Sequence, residues 1–145
     1  MLFLYCKNLI KTTLSLAIAL VFVVFSRALC VSRFSKIEGE RTFYLYSASS
    51  QAVIKDRLRF ADLFFVKGES VEFACEGEEE SLQKLLDIYQ AKIVFLEETD
   101  GVRSYYCATT KWSDGVFLEG EFVNLHIAFR DSRCVVGAPL IFGGF

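Results

Sequence analysis

Residues 70–97 have the sequence SVEFACEGEEESLQKLLDIYQAKIVFLE, and this stretch decides the fold class. Apolar and polar residues alternate from Ser70 to Glu76, which predicts a strand with one face in water. Leucines then recur at a helical spacing, followed one turn later by a tyrosine, which predicts a helix over Glu78–Gln90. The apolar run within Lys92–Glu97 predicts a second strand, covered on both faces.

Strand signals surround this strand–helix–strand unit on both sides. Upstream, Thr42–Ser47 alternates and Leu58–Val66 is apolar, which predicts two strands, with a turn at Lys67–Glu69 before the next. Downstream, Thr99–Gly101 predicts a hairpin turn into a strand over Val102–Thr109. Further strands are predicted within Val116–Arg130, as a hairpin or one long bulged strand, and at Arg133–Ala138. This order predicts an α+β fold, with a mostly antiparallel sheet packed against one main helix.

The first thirty residues carry much of the 53% hydrophobic content of the chain. Two lysines precede an apolar run from Leu14 to Phe25, and small residues follow it. This order is typical of a secretory signal peptide. We therefore divide the chain into a signal peptide or signal anchor over residues 1–28, a polar linker over 29–41 and a single α+β domain over 42–145.

Several fates of the apolar segment stay open at this point. We favour cleavage, after Ala28 or after Cys30, which would release the domain. An uncleaved segment would anchor it, since flanking residues extend the run towards the ~20 residues that span a bilayer. The segment could also carry a lipid on Cys30, or form a buried helix in a protein that is not exported. We predict export, which places the domain at the extracellular face of the membrane or outside the cell.

Charge and residue counts restrict the partners and the chemistry. Beyond residue 28, 13 basic and 18 acidic residues remain, and such a surface is repelled by phosphate backbones. We expect no nucleic-acid partner, and membrane contact only through the N-terminal segment if it is uncleaved. A single histidine excludes a metal site with two imidazoles, and we expect no cofactor and no metal. The cysteines at 75, 107 and 134 are predicted to be small buried hydrophobic residues, with one disulfide among them as the alternative.

Three short blocks carry a family resemblance. Lys67–Ser70 precedes an amphipathic helix, Val123–Ala128 enters a turn, and Val136–Ile141 is followed by glycines and an aromatic terminus. Over residues 43–145 these blocks resemble the YwmB-like family of exported proteins in spore-forming Gram-positive bacteria. The resemblance implies an α+β fold, export and a cell-envelope or sporulation context, and it brings no catalytic residues. Members of the family are usually longer, with two related α+β halves, whereas this chain is long enough for one.

Cys107 and His126 form the best candidate pair for catalysis. A thiol and an imidazole on neighbouring strands would act as nucleophile and base if the sheet brought them together. The alternative is a buried Cys107 and a half-exposed structural His126. We favour this alternative and predict that the chain is not an enzyme, with a thiol-dependent enzyme using this pair as the second hypothesis.

Aromatic residues near the C-terminal half are candidates for a contact patch. Trp112 lies in a loop, and Phe142 and Phe145 lie at the end of the chain. In the alternative interpretation, Trp112 closes one end of the core and the tail docks on the sheet edge. The sequence therefore predicts an exported, non-enzymatic module with a binding or structural role in the cell envelope, acting through a protein partner.

Overall fold

The computed structural model of the chain describes residues 2–30, 33–47 and 53–143, with side chains of the first helix described from residue 8 to 26. Within these residues the chain forms two α-helices, one 3-10 helix and nine strands. In chain order they are α1 (Leu2–Cys30), β1 (Glu40–Leu45), β2 (Val53–Lys55), the 3-10 helix (Phe60–Phe65), β3 (Val66–Ala74), α2 (Glu78–Tyr89), β4 (Ala91–Thr99), β5 (Val102–Thr109), β6 (Val116–Leu118), β7 (Glu121–Val123), β8 (Leu125–Arg130) and β9 (Arg133–Ala138).

Seven of the strands form one antiparallel sheet in the order β2-β1-β3-β9-β8-β5-β4. The short strands β6 and β7 form a separate hairpin. The predicted α+β class is confirmed, because a large antiparallel sheet is combined with a packed helix, α2, and a separate apolar helix, α1.

Local turn chemistry explains the hairpins. Asp100 and Gly101 have φ values of 53° and 76°, and Glu119 and Gly120 have values of 51° and 88°. Two successive positive φ values make the two-residue turn whose twist matches that of antiparallel strands, and glycine adopts the second position without strain. The predicted turn at 99–101 is confirmed, and Val116–Val123 forms the hairpin rather than one long bulged strand.

Helix α2 covers one face of the sheet, which we call the helix face. Leu85 and Tyr89 are buried in the main core cluster, together with alternate residues of β3, β8 and β9. At the start of α2, the Glu78 carboxylate accepts hydrogen bonds from the Arg103 guanidinium at 2.9 Å and from the Tyr105 hydroxyl at 2.7 Å. The apolar stripe and this polar contact together hold α2 on the sheet, and the predicted helix is confirmed.

The C-terminal segment covers part of the opposite face, which we call the tail face. Phe142 packs against Tyr44, with ring centroids 5.4 Å apart. A Cβ added at Gly68 would lie 2.7 Å from the Phe142 ring, and one added at Gly137 would lie 2.8 Å from Ile141. Two glycines in the central strands β3 and β9 therefore make room for the tail, which docks on the face of the sheet and not on its edge, where the alternative interpretation placed it.

The predicted linker and the first predicted turn differ from the structure. Phe34 is fully buried and Ile37 is 9% exposed, and both belong to the main core cluster. The predicted linker is therefore wrong for residues 33–39, which pack into the domain. Residues 67–69, predicted as a turn, lie inside β3, where Glu69 pairs with Phe43 of β1 and with Ala138 of β9. Hydrogen bonds from strands on both sides stabilise an extended backbone there despite the glycine.

Two predicted strands also need correction. The apolar run Leu58–Val66 contains the 3-10 helix Phe60–Phe65 and only reaches β3 at its last residue. Strand β4 was predicted to be covered on both faces, but it is an edge strand that pairs with β5. Ile93 and Leu96 of β4 are 44% and 51% exposed. A run of apolar residues therefore does not show that a strand is central in the sheet, as β4 illustrates. At residues 58–66 such a run does not even indicate an extended backbone.

Candidate functional site

The sheet separates the two candidate catalytic side chains. Cys107 pairs with Leu125, whereas His126 pairs with Tyr106. Directly paired residues point to the same face, so Cys107 lies on the helix face with Leu125 and His126 lies on the tail face. The structure therefore does not bring the thiol and the imidazole together.

Burial shifts the pKa values of Cys107 and His126 in the directions that oppose a reactive thiolate and a basic imidazole. Burial raises the pKa of the Cys107 thiol to about 12 and lowers the pKa of His126 to about 4. At neutral pH the thiol is therefore protonated, whereas an activated cysteine is a thiolate stabilised by a nearby positive charge. These pKa shifts are those of structural core residues.

The three cysteines whose side chains the structure describes are expected to resist alkylation in the folded chain. Cys75, Cys107 and Cys134 are free and buried, and burial raises each thiol pKa. With a pKa of about 12, Cys107 has about a thousandfold less thiolate at pH 8 than an unfolded thiol, and its reaction should slow by at least that factor. Peptide mapping after treatment with iodoacetamide, with and without denaturant, measures the rates. A native rate for Cys107 equal to the denatured rate would contradict the buried-thiol interpretation.

His126 is a buried member of an aromatic stack on the tail face, rather than the half-exposed residue that the sequence predicted. Its ring stacks on Tyr106, which stacks in turn on Phe95, with centroid separations of 4.4 Å in both pairs. The backbone N–H of Ile141 donates to His126 Nδ1 at 3.3 Å. In the neutral ring the proton therefore sits on Nε2, which is buried and has no hydrogen-bond partner among the described residues.

An open depression of about 320 Å³ lies beside this histidine on the tail face. Its lining combines carboxylates near the β4–β5 turn, the Arg130 guanidinium of β8, the Ser104 hydroxyl of β5 and apolar groups of the tail. The lining residues are Glu97, Thr99, Asp100, Val102, Ser104, His126, Ala128, Arg130, Ile141 and Gly143. Charges of both signs beside a buried imidazole donor suit the binding of a small polar group. We take this depression as the candidate site.

A second polar cluster is buried beneath the helix face, around Glu69. This carboxylate is 1% exposed, and its Oε1 lies 3.4 Å from Nη1 of Arg41. Burial raises the pKa of Glu69 to about 7, against the opposing effect of the Arg41 charge. Glu69 Oε2, Tyr89 Oη and Arg33 Nε are buried without hydrogen-bond partners in the part of the chain that the structure describes. Sequence reasoning missed this cluster because it placed Glu69 in an exposed turn.

The aromatic residues proposed as a contact patch lie apart. Trp112 closes one end of the core, with its ring centroid 5.9 Å from that of Phe34 and 5.4 Å from that of Tyr89. The Arg33 guanidinium lies over the indole at 5.2 Å. Phe142 packs on the opposite face of the sheet, and Phe145 lies outside the described residues. The two described members therefore do not form one patch.

Helix α1 carries the apolar N-terminal segment. Its stretch Asn8–Ser26 has a mean hydropathy of 2.2 over 19 residues, and none of that stretch is buried inside the molecule. It is long and apolar enough to cross a membrane, and a signal sequence has the same length and composition. The helix is therefore suited to export or to membrane association.

Comparisons of the chain with protein-family models, with curated proteins and with solved structures find no match. The resemblance to the YwmB-like family therefore stays a prediction, and the function has to be inferred from the molecule itself.

Proposed function

We propose that this chain is an exported module that α1 holds at the outer face of the membrane, where it acts by binding and not by catalysis. The observation that carries the proposal is the unburied apolar stretch of α1 beside a domain that buries its own core without it. An apolar helix that the fold does not cover needs another apolar environment, and a bilayer supplies it.

Retention of the helix is favoured over its cleavage. Of the two candidate cleavage points, Ala28 lies inside α1 and Cys30 is its last residue. Phe34 follows only four residues after Cys30 and is fully buried in the core. A cut after Ala28 would fall within the helical backbone of α1. The same short connection would keep the domain close to the membrane surface.

The depression on the tail face is the binding surface that we assign to the module. It offers a cation, carboxylates and a buried imidazole N–H, and the chemistry suits a polar group of an envelope protein. The separation of Cys107 from His126 leaves the thiol-enzyme hypothesis without support from the geometry. The resemblance to the YwmB-like family fits a cell-envelope or sporulation context.

Fractionation of cells that express the chain tests the proposal. We expect the full-length mass in the membrane fraction after alkaline carbonate extraction, and digestion of the domain by protease added outside the cytoplasmic membrane. A shortened chain in the soluble fraction would contradict anchoring, and a domain protected from external protease would contradict export.

Cross-linking in the same cells tests the depression. Arg130→Ala removes the cation of the depression and should abolish cross-linking to the partner. Lys84→Ala removes an exposed cation from α2, on the opposite face, and should leave the cross-link intact. If both variants lose the cross-link, or both keep it, the depression is not the binding surface.

A further inference from the structure

A cluster of exposed apolar side chains lies at the β2 edge of the sheet. Tyr46, Ile54, Phe60 and Phe65, which we call the aromatic edge, are 65%, 60%, 65% and 56% exposed. We propose that the aromatic edge rests in the interface of an anionic lipid bilayer. This inference rests on the proposed membrane anchoring by α1, and it adds a second, separate membrane contact made by the domain.

The aromatic edge is one connected surface. The backbone N–H of Tyr46 donates to the carbonyl oxygen of Phe65 at 2.8 Å, which joins the end of β1 to the end of the 3-10 helix. The Lys55 ammonium contacts the Asp62 carboxylate at 2.7 Å, which ties β2 to the same helix. The four side chains therefore stand on elements that are held to one another.

The aromatic edge is continuous with α1. The 3-10 helix contacts α1, and within residues 8–26 the half-buried side chains of α1 are Val24 and Ser26. The contact therefore lies at the C-terminal end of the apolar stretch. If that stretch crosses a bilayer, its end lies at the membrane surface and places the aromatic edge at the same level. Aromatic rings prefer this depth, where an apolar body and a polar environment meet.

The charge around the aromatic edge suits anionic headgroups. Residues 53–67 contain four basic and two acidic residues, although acidic residues outnumber basic ones in the chain as a whole. Arg57, Arg59 and Lys67 are exposed, and the Lys67 ammonium lies 6.0 Å from the centroid of the Tyr46 ring. Basic side chains close to an anionic membrane surface are attracted to it, and exposed aromatic rings beside them insert at the boundary. The aromatic edge is therefore locally positive, although the domain as a whole is negatively charged.

Fluorescence of the full chain in vesicles tests the contact. The wild-type chain has a single tryptophan, Trp112, which gives the baseline. Phe65→Trp adds a reporter on the aromatic edge, and Phe60→Trp adds an independent one. Leu96→Trp is the matched control, since it is exposed on β4, which the strand order places about 29 Å from β2 at ~4.8 Å per strand.

In vesicles that contain anionic phospholipid and a shallow lipid quencher, both edge reporters should lose about half of their added emission, with a shift to shorter wavelength. The emission added by Leu96→Trp should stay unchanged. Replacing the anionic phospholipid with a zwitterionic one should reduce the quenching of the edge reporters, because it removes the attraction for Arg57, Arg59 and Lys67.

The outcomes separate this inference from the anchoring on which it rests. A chain that does not float with the vesicles contradicts the anchoring. A chain that floats, with edge reporters quenched no more than Leu96→Trp, overturns the aromatic-edge contact and leaves the anchor intact. Edge reporters whose emission shifts to shorter wavelength without quenching by lipid also overturn it, because a protein surface then covers the aromatic edge.

Discussion

Phe34→Ala should lower the free energy of unfolding by about 3–5 kcal/mol, the range for removing a fully buried phenylalanine ring. Phe34 is completely buried, and its ring packs edge-on against Tyr89 and Trp112, with centroids 5.7 Å and 5.9 Å away. Alanine would leave a cavity bounded by these rings at the end of the core. Thermal or denaturant unfolding of the full chain in detergent micelles measures the change.

Phe117→Ala is the matched control for this substitution. Phe117 is 74% exposed on the β6–β7 hairpin, so its removal should change the stability by less than about 0.5 kcal/mol. Equal effects of the two substitutions would show that residues 33–37 do not belong to the core. A large effect at Phe34 alone would mean that the segment after α1 is part of the folding unit.

Phe34 also shows where sequence reasoning fails. The surrounding residues are polar, so a single phenylalanine and a single isoleucine give no period of 2 or 3.6 and predict a linker. The burial of Phe34 arises from contacts with Tyr89 and Trp112, which are distant in sequence. Signals of the kind that identify α2 and the turn at Asp100 are local, which is why those elements could be predicted.

The candidate site was predictable only in part, for a related reason. Cys107 and His126 could be placed on strands from local alternation, but the face that each side chain occupies depends on the register between β5 and β8. A slip of one residue in that register would place the two side chains on the same face of the sheet instead of on opposite faces. The tail determines which nitrogen of His126 carries the proton, because Ile141 donates to Nδ1 and leaves Nε2 without a partner among the described residues. The local sequence indicates the position of the tail only through the glycines at 68 and 137.

Glu69→Gln should stabilise the fold at pH 8 by up to about 3 kcal/mol, because the wild-type chain buries a carboxylate whose pKa rises from 4.5 to about 7. The folded state binds the Glu69 proton more tightly than the unfolded state does. The contribution of Glu69 to stability is therefore fully present below pH 4.5 and is lost as the pH rises to about 7. The difference in unfolding free energy between variant and wild type, measured from pH 4.5 to pH 8, should grow across that window.

The prediction uses the difference in unfolding free energy between variant and wild type because His126 changes stability with pH in the opposite direction. Burial lowers its pKa from 6.5 to about 4, so its contribution to stability is lost as the pH falls through that range. In the wild-type chain the two slopes oppose each other between pH 4.5 and pH 6.5, and subtraction of the variant curve isolates Glu69. Glu72→Gln is the matched control, since Glu72 lies on β3 with its carboxylate at the surface, 2.9 Å from the Arg133 guanidinium. A pH-independent difference for Glu69→Gln would contradict the prediction, because it would mean that the pKa of Glu69 is the same in the folded and unfolded chains.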